Sequence, residues 1–340
     1  MKCGVIPPAA RTSPDLSETD AVPDSGTVLC LGEALIDIIV SDGSPALEDA
    51  NAFIARPGGA PANVAVALNR MGVPSAFCGA IGDDPFGKRL QRVLGADGVD
   101  ITRLAVVPQA STTLAFAWKD SRGDGQFRII RLADALLSEE IVNSAGIESR
   151  AAILVGSVAL TEPKSRAAIY RAVELATNAG VPVCFDVNMR PSLWASAELA
   201  RSICQPVLER TTILKLSVDD AGTLFGLRDP EAIFDERAGD SIRLLTDGGR
   251  GAWYRNDAGI VEHVPAFEIE PVEPTGAGDA FTAGIVSRYL ANSSPPNRDD
   301  VVFASAAGAI TATRIGAIES LPTREEIVHF LAVHHVPVST

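Results

Sequence analysis

Histidine and aromatic residues are scarce in this chain of 340 residues, and motifs on which many enzymes and membrane proteins depend are missing. The four histidines leave no metal-ligand spacing such as HExxH. The cysteines are scattered without a CxxC pair, which favours buried, reduced thiols and a cytoplasmic location. They are Cys3, Cys30, Cys78, Cys184 and Cys204. No apolar run approaches the roughly 18 residues that a membrane-spanning helix needs, so we expect no membrane partner.

Positive charge is also in short supply, because 29 Lys and Arg residues stand against 43 Asp and Glu residues, a formal net charge of -14. Nucleic acids and anionic membranes require clustered basic side chains, so this composition excludes them as partners. ATP stays compatible with an acidic protein, because backbone amides and Mg2+ can meet its phosphates. The charge therefore excludes polyanion binding but not nucleotide binding.

Two common nucleotide-binding motifs do not occur either. A Walker-type NTPase needs GxxxxGK[ST], which is absent. A nicotinamide-dependent dehydrogenase needs GxGxxG after its first strand, whereas Val28 to Leu31 leads into the sequence GEALID. The first 25 residues are rich in Pro, Ser, Thr and Asp and lack the apolar segment of a signal peptide. We predict a disordered tail over residues 1–25.

Short apolar runs of strand length recur along the chain, and most are nearly continuous, as in strands buried on both faces of a parallel sheet. They are Val28 to Leu31, Ala76 to Ile81, Ala152 to Val155, Val181 to Phe185, Ile213 to Leu216 and Ile242 to Leu245. Helical patterns lie between them, at Ala62 to Met71, Phe86 to Leu94 and Lys164 to Ala179. This alternation predicts an α/β fold, a three-layer α/β/α sandwich with a mainly parallel central sheet.

Two pairs of strand-like segments interrupt the alternation: Leu35 to Val40 with Ala52 to Arg56, and Thr112 to Trp118 with Gln126 to Arg131. The connection within the second pair holds two glycines and two aspartates, which is typical of a hairpin turn. We predict that these segments, over about 35–56 and 112–131, form a small β-sheet lid that excludes water from a reacting phosphate. The pattern alone also allows them to extend the main sheet.

A glycine-rich segment carries the strongest chemical signal, the sequence PTGAGDAF over residues 274–281. It follows a predicted strand around Val264 to Ile269 and precedes a helical pattern. Its glycines expose backbone N–H groups and the helix dipole adds partial positive charge, so the segment suits a phosphate. Asp279 beside it can take the proton from an attacking hydroxyl during phosphoryl transfer. A turn in which Asp279 only caps the helix is the simpler interpretation.

Four further segments complete a recognisable set. They are RPGGAPANVA from Arg56, GAIGDDPFG from Gly79, FDVNMR from Phe185 and TDGGRG from Thr246. Together with TGAGDAF they resemble the ribokinase-like (PfkB) carbohydrate kinases, and fructokinases most closely. The resemblance covers about Val28 to Glu325 and implies a ribokinase-like kinase domain over residues 26–335.

The resemblance implies roles for individual residues. Asp279 is similar to the catalytic base of the family, with Gly276, Ala277 and Gly278 as the anion hole for the γ-phosphate of ATP. The implied sugar-binding residues are Asp37, Gly58, Gly59, Asn63 and Arg190. The residues implied to contact the nucleotide and its Mg2+ are Lys215, Ser217, Asp220, Thr246, Gly248, Gly251 and Ser305. A K+ ion is implied at Glu273, Thr275, Thr311, Arg314, Gly316 and Ser320.

The chain departs from the family pattern in three places. Glu273-Pro274-Thr275 replaces the usual Asp-Thr-Thr, which affects the cation site. Val187 replaces the proline of the usual Asp-Pro-Asn-x-Arg run, and Ser217 and Asp220 stand where Asn and Glu are often found. None of these changes removes the base or the anion hole.

The resemblance implies ATP-dependent phosphorylation of a monosaccharide, with fructose to fructose 6-phosphate as the expected reaction. The alternative within the family is a 2-keto-3-deoxygluconate kinase or another PfkB-type sugar kinase. A 2-keto-3-deoxygluconate kinase shares much of the pattern and needs a cation for the substrate carboxylate, for which Arg190 is the candidate, with Arg128 or Arg131 on the lid hairpin as additional candidates. A non-catalytic sugar-binding protein on the same fold is the alternative from another class. Unpaired edges of the lid strands favour a homodimer through the lid.

Overall fold

The computed structural model describes residues 26–122, 125–236 and 241–336, so the predicted tail over residues 1–25 lies outside the described residues. The strands are β1 Val28–Leu31, β2 Leu35–Val40, β3 Phe53–Gly58, β4 Ser75–Gly82, β5 Asp100–Val107, β6 Leu114–Lys119, β7 Gly125–Ile130, β8 Ala152–Gly156, β9 Val183–Asp186, β10 Ile213–Ser217, β11 Ile242–Thr246, β12 Ala252–Arg255 and β13 Val261–Val264. The helices are α1 Ala60–Arg70, α2 Pro85–Ala96, α3 Glu139–Asn143, α4 Pro163–Ala179, α5 Ala197–Leu208, α6 Val218–Phe225, α7 Pro230–Asp235, α8 Ala277–Asn292, α9 Arg298–Ala312 and α10 Arg324–Val333.

The central sheet has the strand order β13-β12-β11-β10-β9-β8-β1-β4-β5. Neighbours from β11 to β5 run parallel, whereas β12 and β13 are antiparallel additions. Successive side chains of a strand point to opposite faces, so Val28 and Cys30 join one hydrophobic core while Leu29 and Leu31 join the other. Because both faces are buried, the sequence shows continuous apolar runs here.

Helices cover both faces of this sheet. Apolar residues of α1, α2, α8, α9 and α10 pack in one core, and those of α3 to α7 pack in the other. In α4, Ala168, Ile169, Ala172, Val173 and Ala176 form a buried stripe at helical spacing. The predicted three-layer α/β/α sandwich is therefore confirmed. None of the described helices has the length and apolarity to cross a bilayer.

A second, smaller sheet has the order β3-β2-β6-β7. The pairs β2–β3 and β6–β7 are antiparallel, and a parallel pairing of β2 with β6 joins them. The predicted small sheet is confirmed, and these strands do not extend the central sheet. The face that carries Leu35 and Asp37 on β2, Ala115 on β6 and Ile129 on β7 looks onto a cavity.

Some element boundaries differ from those predicted. The strand expected around Val264 to Ile269 ends at Val264, where the pairing of β13 with β12 stops. The chain from there to Gly276 is irregular, so the glycine-rich segment enters α8 from a long loop. We did not predict β5, because it lies at the edge of the sheet and only Leu104 among its residues is buried. Its sequence therefore lacks the continuous apolar run of an inner strand.

Candidate active site

The carboxyl ends of the parallel strands meet at one edge of the central sheet, next to the small sheet. β1 and β8 are neighbours whose chains continue in opposite directions, to β4 and to β9, and this reversal opens a crevice at that edge. A cavity of about 270 Å3 lies there. Its lining is Glu33, Leu35, Asp37, Gly59, Ala60, Asn63, Ala115, Phe127, Ile129, Val158, Asn188, Arg190, Lys215, Pro274, Thr275, Gly276, Gly278 and Asp279. The fold thus gathers distant segments of the sequence around one space.

Asp279 lies in the first turn of α8 and is only 7% exposed. The helix begins after Gly276, whose φ of 84° lies in the left-handed region that favours glycine. From α1, Asn63 Nδ2 donates a hydrogen bond to Asp279 Oδ2 at 2.7 Å. The Asp279 carboxylate makes no hydrogen bond to the described backbone at the start of α8, so the interpretation of Asp279 as a helix cap is wrong.

The surroundings of Asp279 make it a stronger base than an ordinary aspartate. Burial, and next the neighbouring Asp186 carboxylate, raise the pKa of Asp279 to about 6. The hydrogen bond from Asn63 and the ammonium of Lys215 act in the opposite direction. The carboxyl group is therefore mostly ionised at neutral pH, and it holds a transferred proton better than a solvated aspartate. A general base needs both properties.

The backbone around the glycines offers hydrogen-bond donors next to Asp279. Of the three amides predicted as the anion hole, that of Ala277 donates to the Pro274 carbonyl at 3.1 Å. The amides of Gly276 and Gly278 have no acceptor within the described chain. A Cβ atom at Gly278 would lie 3.1 Å from Lys215 Nζ, so glycine leaves room for the ammonium beside these amides. The geometry suits an anion at two amides and one ammonium.

Lys215 on β10 is buried against Asp186 at the end of β9, with Nζ 3.1 Å from Oδ1. Thr282 Oγ1 donates to the other oxygen of Asp186 at 2.7 Å. Burial lowers the pKa of Lys215, but the carboxylates of Asp186, Asp220 and Asp279 outweigh this, so the pKa lies above its ordinary value. Lys215 therefore stays a cation inside the protein.

The residues predicted to bind the sugar lie on the lid and at the start of α1. A Cβ atom at Gly58 would come within 2.2 Å of Asp37 Oδ2, so only glycine allows that carboxylate its position. Gly59 has a φ of 110°, and a Cβ atom there would lie 2.4 Å from the Glu33 carbonyl oxygen. Asp37 is half-buried, and desolvation raises its pKa to about 7 although Arg190 opposes the shift.

Arg190 follows β9 and connects the sandwich with the lid. Its Nη1 donates to Asn188 Oδ1 at 2.6 Å, and its guanidinium lies 5.6 Å from the centre of the Phe127 ring on β7. Asn188 has a φ of 40°, in the left-handed region where asparagine is tolerated better than most residues. Arg190 is thus positioned by one residue on each side of the cavity.

Two residues predicted to contact the nucleotide have structural tasks at the start of α6. Ser217 Oγ accepts from the Asp220 N–H at 3.0 Å, and Asp220 Oδ2 accepts from the Ser217 N–H at 2.8 Å, which is a capping box. Asp220 Oδ1 also accepts from the Met189 N–H at 2.7 Å. Neither residue lines the cavity, and their contact with the nucleotide or with Mg2+ waters stays a prediction.

The other predicted nucleotide residues lie further along the same sheet edge. Thr246 ends β11, the neighbour of β10, and Gly248 follows it in a turn with no atom within 4 Å of its Cβ position. Gly251 has a packing role as well, since a Cβ atom there would lie 2.1 Å from the Val264 carbonyl oxygen. The Ser305 hydroxyl on α9 is buried without a hydrogen-bond partner in the described chain.

The residues predicted to hold K+ lie on two neighbouring segments, around residues 273–275 and 311–320. Glu273 Oε2 accepts from the Gly316 N–H at 3.0 Å, which ties the segments together. Other polar side chains of the set bond elsewhere: Arg314 to Glu326, Thr311 to Ala307 and Ser320 to Ala317. Backbone carbonyl groups are then the ligands that such an ion would use.

Two residues with no role predicted from the sequence contact or line the site in the structure. Asp186 holds Lys215, and the available signal was a carboxylate at the end of a buried apolar strand, in the sequence VCFD. Glu33 is 3% exposed and lines the cavity. The available signal was its place in the sequence GEALID, directly after β1 at the same sheet edge.

Comparison with known proteins agrees with this geometry. Residues 25–324 match the family described as "pfkB family carbohydrate kinase". The chain is 35% identical to fructokinase-1 of Zea mays over 319 residues, which are 89% of this chain and 97% of that relative. It is similar to the crystal structure of fructokinase with bound ATP from Xylella fastidiosa, with 28% identity, a TM-score of 0.81 and coverage of 92% and 99% of the two chains. It is also similar to a putative ribokinase II in complex with ATP and Mg2+ from E. coli, with 27% identity, a TM-score of 0.82 and coverage of 91% and 100%.

A small second sheet lies over the carboxyl edge of the parallel sheet, and a basic carboxylate stands beside free amides at the start of a helix. This arrangement defines an enzyme of phosphoryl transfer to an alcohol. The matches make the class specific. The chain belongs to the pfkB family of carbohydrate kinases, and the predictions of the family, of a sugar kinase and of ATP with Mg2+ are confirmed.

Proposed function

We propose that this protein transfers the γ-phosphoryl group of ATP to fructose and produces fructose 6-phosphate. The observation that carries the proposal is the position of Asp279. Its buried carboxylate faces the cavity, beside the free amides of Gly276 and Gly278 and the ammonium of Lys215. The fructokinases among the relatives support fructose as the acceptor.

The residues around the cavity have different roles in the reaction. Asp279 accepts the proton of the 6-hydroxyl as the sugar oxygen attacks the γ-phosphorus. The bond between the γ-phosphorus and the bridging oxygen breaks, and ADP leaves with that electron pair. The amides of Gly276 and Gly278, with Lys215, stabilise negative charge on the transferred group. Mg2+ bound with ATP neutralises phosphate charge, and the lid keeps out water that would otherwise compete as acceptor.

We place the adenine nucleotide along the loop from Thr246 to Gly251, with its terminal phosphate toward Gly276. β10 and β11 are neighbouring parallel strands in which Ser217 lies opposite Thr246. Lys215 is two residues before Ser217, so Lys215 and Thr246 lie near the same edge of the sheet. The open space around Gly248 lets a ligand approach the backbone. Ser305 on α9 has a buried hydroxyl without a hydrogen-bond partner in the described chain, and we assign it to the adenine base.

The charges of the cavity favour a neutral sugar over 2-keto-3-deoxygluconate. The carboxyl groups of Glu33, Asp37 and Asp279 line the cavity, and all have raised pKa values. Lys215 already pairs with Asp186, so Arg190 is the lining cation that could face a substrate carboxylate. Another anion beside these carboxyl groups would be repelled, whereas sugar hydroxyls can donate hydrogen bonds to them.

We expect ADP release to require a sugar and to be at least roughly a hundred-fold more efficient in kcat/KM with fructose than with 2-keto-3-deoxygluconate, a difference of about 3 kcal/mol in discrimination. A coupled ADP assay over fructose, 2-keto-3-deoxygluconate, ribose and adenosine measures this. Phosphorus NMR of the product identifies the phosphorylated carbon. Sugar-dependent thermal stabilisation without ADP release would indicate a non-catalytic sugar-binding protein and contradict the proposal.

We also propose that K+ raises activity by binding between the segments around 273–275 and 311–320. The direct hydrogen bond from Gly316 to Glu273 already holds them close, and backbone carbonyls remain available to a cation. Initial rates at equal ionic strength in K+, Na+ and tetramethylammonium salts test this. Equal rates in the three salts would contradict it.

We further propose that two copies of the chain associate through the lid. Phe53 and Ile54 on β3 and Phe127 and Ile130 on β7 are each more than 40% exposed, and β3 and β7 are the edge strands of the lid sheet. We expect a dimer by light scattering at micromolar concentration, and a monomer for the double variant Phe53→Ser/Ile54→Ser. The matched change Leu199→Ser, at an exposed leucine on α5, should leave the dimer intact.

A cytoplasmic location is proposed on the state of the thiols. Cys30, Cys78, Cys184 and Cys204 are all free and buried, and burial raises the pKa of each thiol, so none resembles a disulfide partner or a reactive cysteine. Fractionation of the producing cells with marker enzymes checks the location.

A further inference from the structure

Glu33 is a buried carboxyl group of the cavity that the reaction described above does not use. It follows β1, is 3% exposed and belongs to the cavity lining. Its Oε2 atom has no hydrogen-bond partner within the described chain. A buried carboxylate oxygen without a partner costs folding free energy, and most buried polar atoms in proteins are satisfied. A ligand that donates a hydrogen bond to Oε2 would remove this cost.

The strand order separates Glu33 from Asp279, because Glu33 follows β1, whereas the segment of Gly278 and Asp279 meets Lys215 on β10, three strands away in the order β10-β9-β8-β1. The charged groups that act most on Glu33 are Arg131, Asp134 and Arg190, whereas Asp279 is among those that act on Asp37. Arg131 forms no ion pair with Glu33: its Nε atom pairs with Asp134, its Nη1 donates to the Val158 carbonyl, and its buried Nη2 has no hydrogen-bond partner in the described chain. Glu33 is therefore available to the end of a bound sugar that lies away from the reacting hydroxyl.

We propose that Glu33 is a sugar-binding residue whose Oε2 accepts a hydrogen bond from the hydroxyl farthest from the one phosphorylated. In fructofuranose with its 6-hydroxyl at Asp279, this is the 1-hydroxyl, on the other exocyclic carbon across the ring. The inference rests on the proposed fructose phosphorylation and names a determinant of its selectivity. Asp37 then serves the ring hydroxyls between the two ends.

The test compares fructose with 1-deoxyfructose, 3-deoxyfructose and 4-deoxyfructose in the wild type and in Glu33→Leu, which removes the acceptor. With fructose we expect KM to rise roughly ten- to a hundred-fold and kcat to change by less than about threefold, because binding is lost equally in the ground state and the transition state. The wild type should lose a similar factor with 1-deoxyfructose. Glu33→Leu should show no difference between fructose and 1-deoxyfructose, since the interaction is already absent.

Stability separates a ligand-binding role from a structural one. Because Oε2 is unpaired, Glu33→Gln should unfold at the same or a higher temperature than the wild type without sugar. Burial raises the pKa of Glu33 from 4.5 to about 7, so its favourable contribution is complete below pH 4.5 and is lost as pH rises through 7. The advantage of Glu33→Gln should accordingly grow between pH 5 and pH 8.

Asp300→Asn is the matched control, a buried acid that does not line the cavity. Its carboxylate accepts from Arg288 and Asn292, so its loss should lower the unfolding temperature and leave the deoxyfructose comparison unchanged. The proposal is overturned if Glu33→Leu keeps the discrimination against 1-deoxyfructose, or if Glu33→Gln is destabilised as Asp300→Asn is. Loss of discrimination only at the 3- or 4-position also overturns it. A wild type that phosphorylates none of these sugars refutes the proposed function instead, and sugar-induced thermal shifts then still test Glu33.

Discussion

Asp279→Asn is expected to lower kcat by roughly a hundred- to ten-thousand-fold, the usual contribution of a general base. Asparagine keeps the shape of the side chain and an oxygen that can accept from Asn63 Nδ2, now 2.7 Å away. It cannot take the proton of the attacking hydroxyl. Single-turnover phosphorylation at saturating ATP measures the effect on the chemical step, and equilibrium binding of ATP should change little.

Because the pKa of Asp279 is raised, Asp279→Asn should change two pH dependences, that of kcat/KM and that of stability. Wild-type kcat/KM should fall as pH drops below about 6, where the carboxyl group becomes protonated, and the residual activity of the variant should lack this limb. Because the folded-state pKa is raised from 3.8 to about 6, the favourable contribution of Asp279 to stability is present below pH 3.8 and is lost as pH rises through 6. Asp279→Asn should therefore be as stable as the wild type at pH 7 or more stable, by at most on the order of 2–3 kcal/mol.

Asp300→Asn provides a matched control for this prediction. Asp300 occupies the same third position of the following helix, α9, and is 1% exposed, but its carboxylate serves Arg288 and the capping box with Asn297. Its replacement should lower stability and leave kcat nearly unchanged, the reverse of the pattern for Asp279→Asn. An Asp279→Asn enzyme that keeps most of its kcat would show that another group is the base.

The inner strands and the glycine segments could be predicted from sequence because each rests on local physical chemistry. A strand buried on both faces must be apolar at every position, and β1 was located to the residue for that reason. At Gly276 and Gly59 the backbone adopts angles that favour glycine, so the motif is a direct trace of the geometry. The edge strand β5 carries no such constraint and left no clear pattern.

The partners of the site residues could not be predicted, because they depend on contacts between segments far apart in the chain. Asn63 and Asp279 are hydrogen-bonded although 216 positions separate them. Gly58 is required because the Asp37 carboxylate on the adjacent lid strand lies against it. Lys215 is required as the partner of the Asp186 carboxylate on β9. Glu33 is a second example, because its sequence position does not show that its Oε2 is buried without a hydrogen-bond partner among the described residues. Sequence indicates which chemistry is present, and packing decides which groups meet.

Lys215→Met is expected to have the second large effect, on stability and catalysis together. Methionine fills a similar volume but leaves the 3% exposed Asp186 without its cation, with the Thr282 hydroxyl as its remaining hydrogen-bond donor in the described part of the chain. Breaking a buried ion pair from one side costs about 3–5 kcal/mol, because an uncompensated charge stays inside the protein. The ammonium also stabilises the transferred phosphoryl group, so kcat should fall by roughly a hundred- to a thousand-fold. Urea unfolding and initial rates measure the two losses.

The loss of Lys215 should also be visible at Asp279, because the ammonium lowers the pKa of that carboxyl group. The acid limb of the pH–rate profile should move from about pH 6 to higher pH in Lys215→Met, an effect that a general loss of packing would not produce.

Lys88→Met is the control, because it removes a lysine from an exposed ion pair in which Lys88 Nζ lies 3.6 Å from Asp83 Oδ1. It should lower the free energy of unfolding by less than about 1 kcal/mol and should not move the acid limb of the pH–rate profile. The double variant Lys215→Met/Asp186→Asn should regain part of the stability, because the stranded charge is gone, but none of the rate. If Lys215→Met unfolds at the wild-type urea concentration, or its acid limb stays in place, the ion pair does not organise this site.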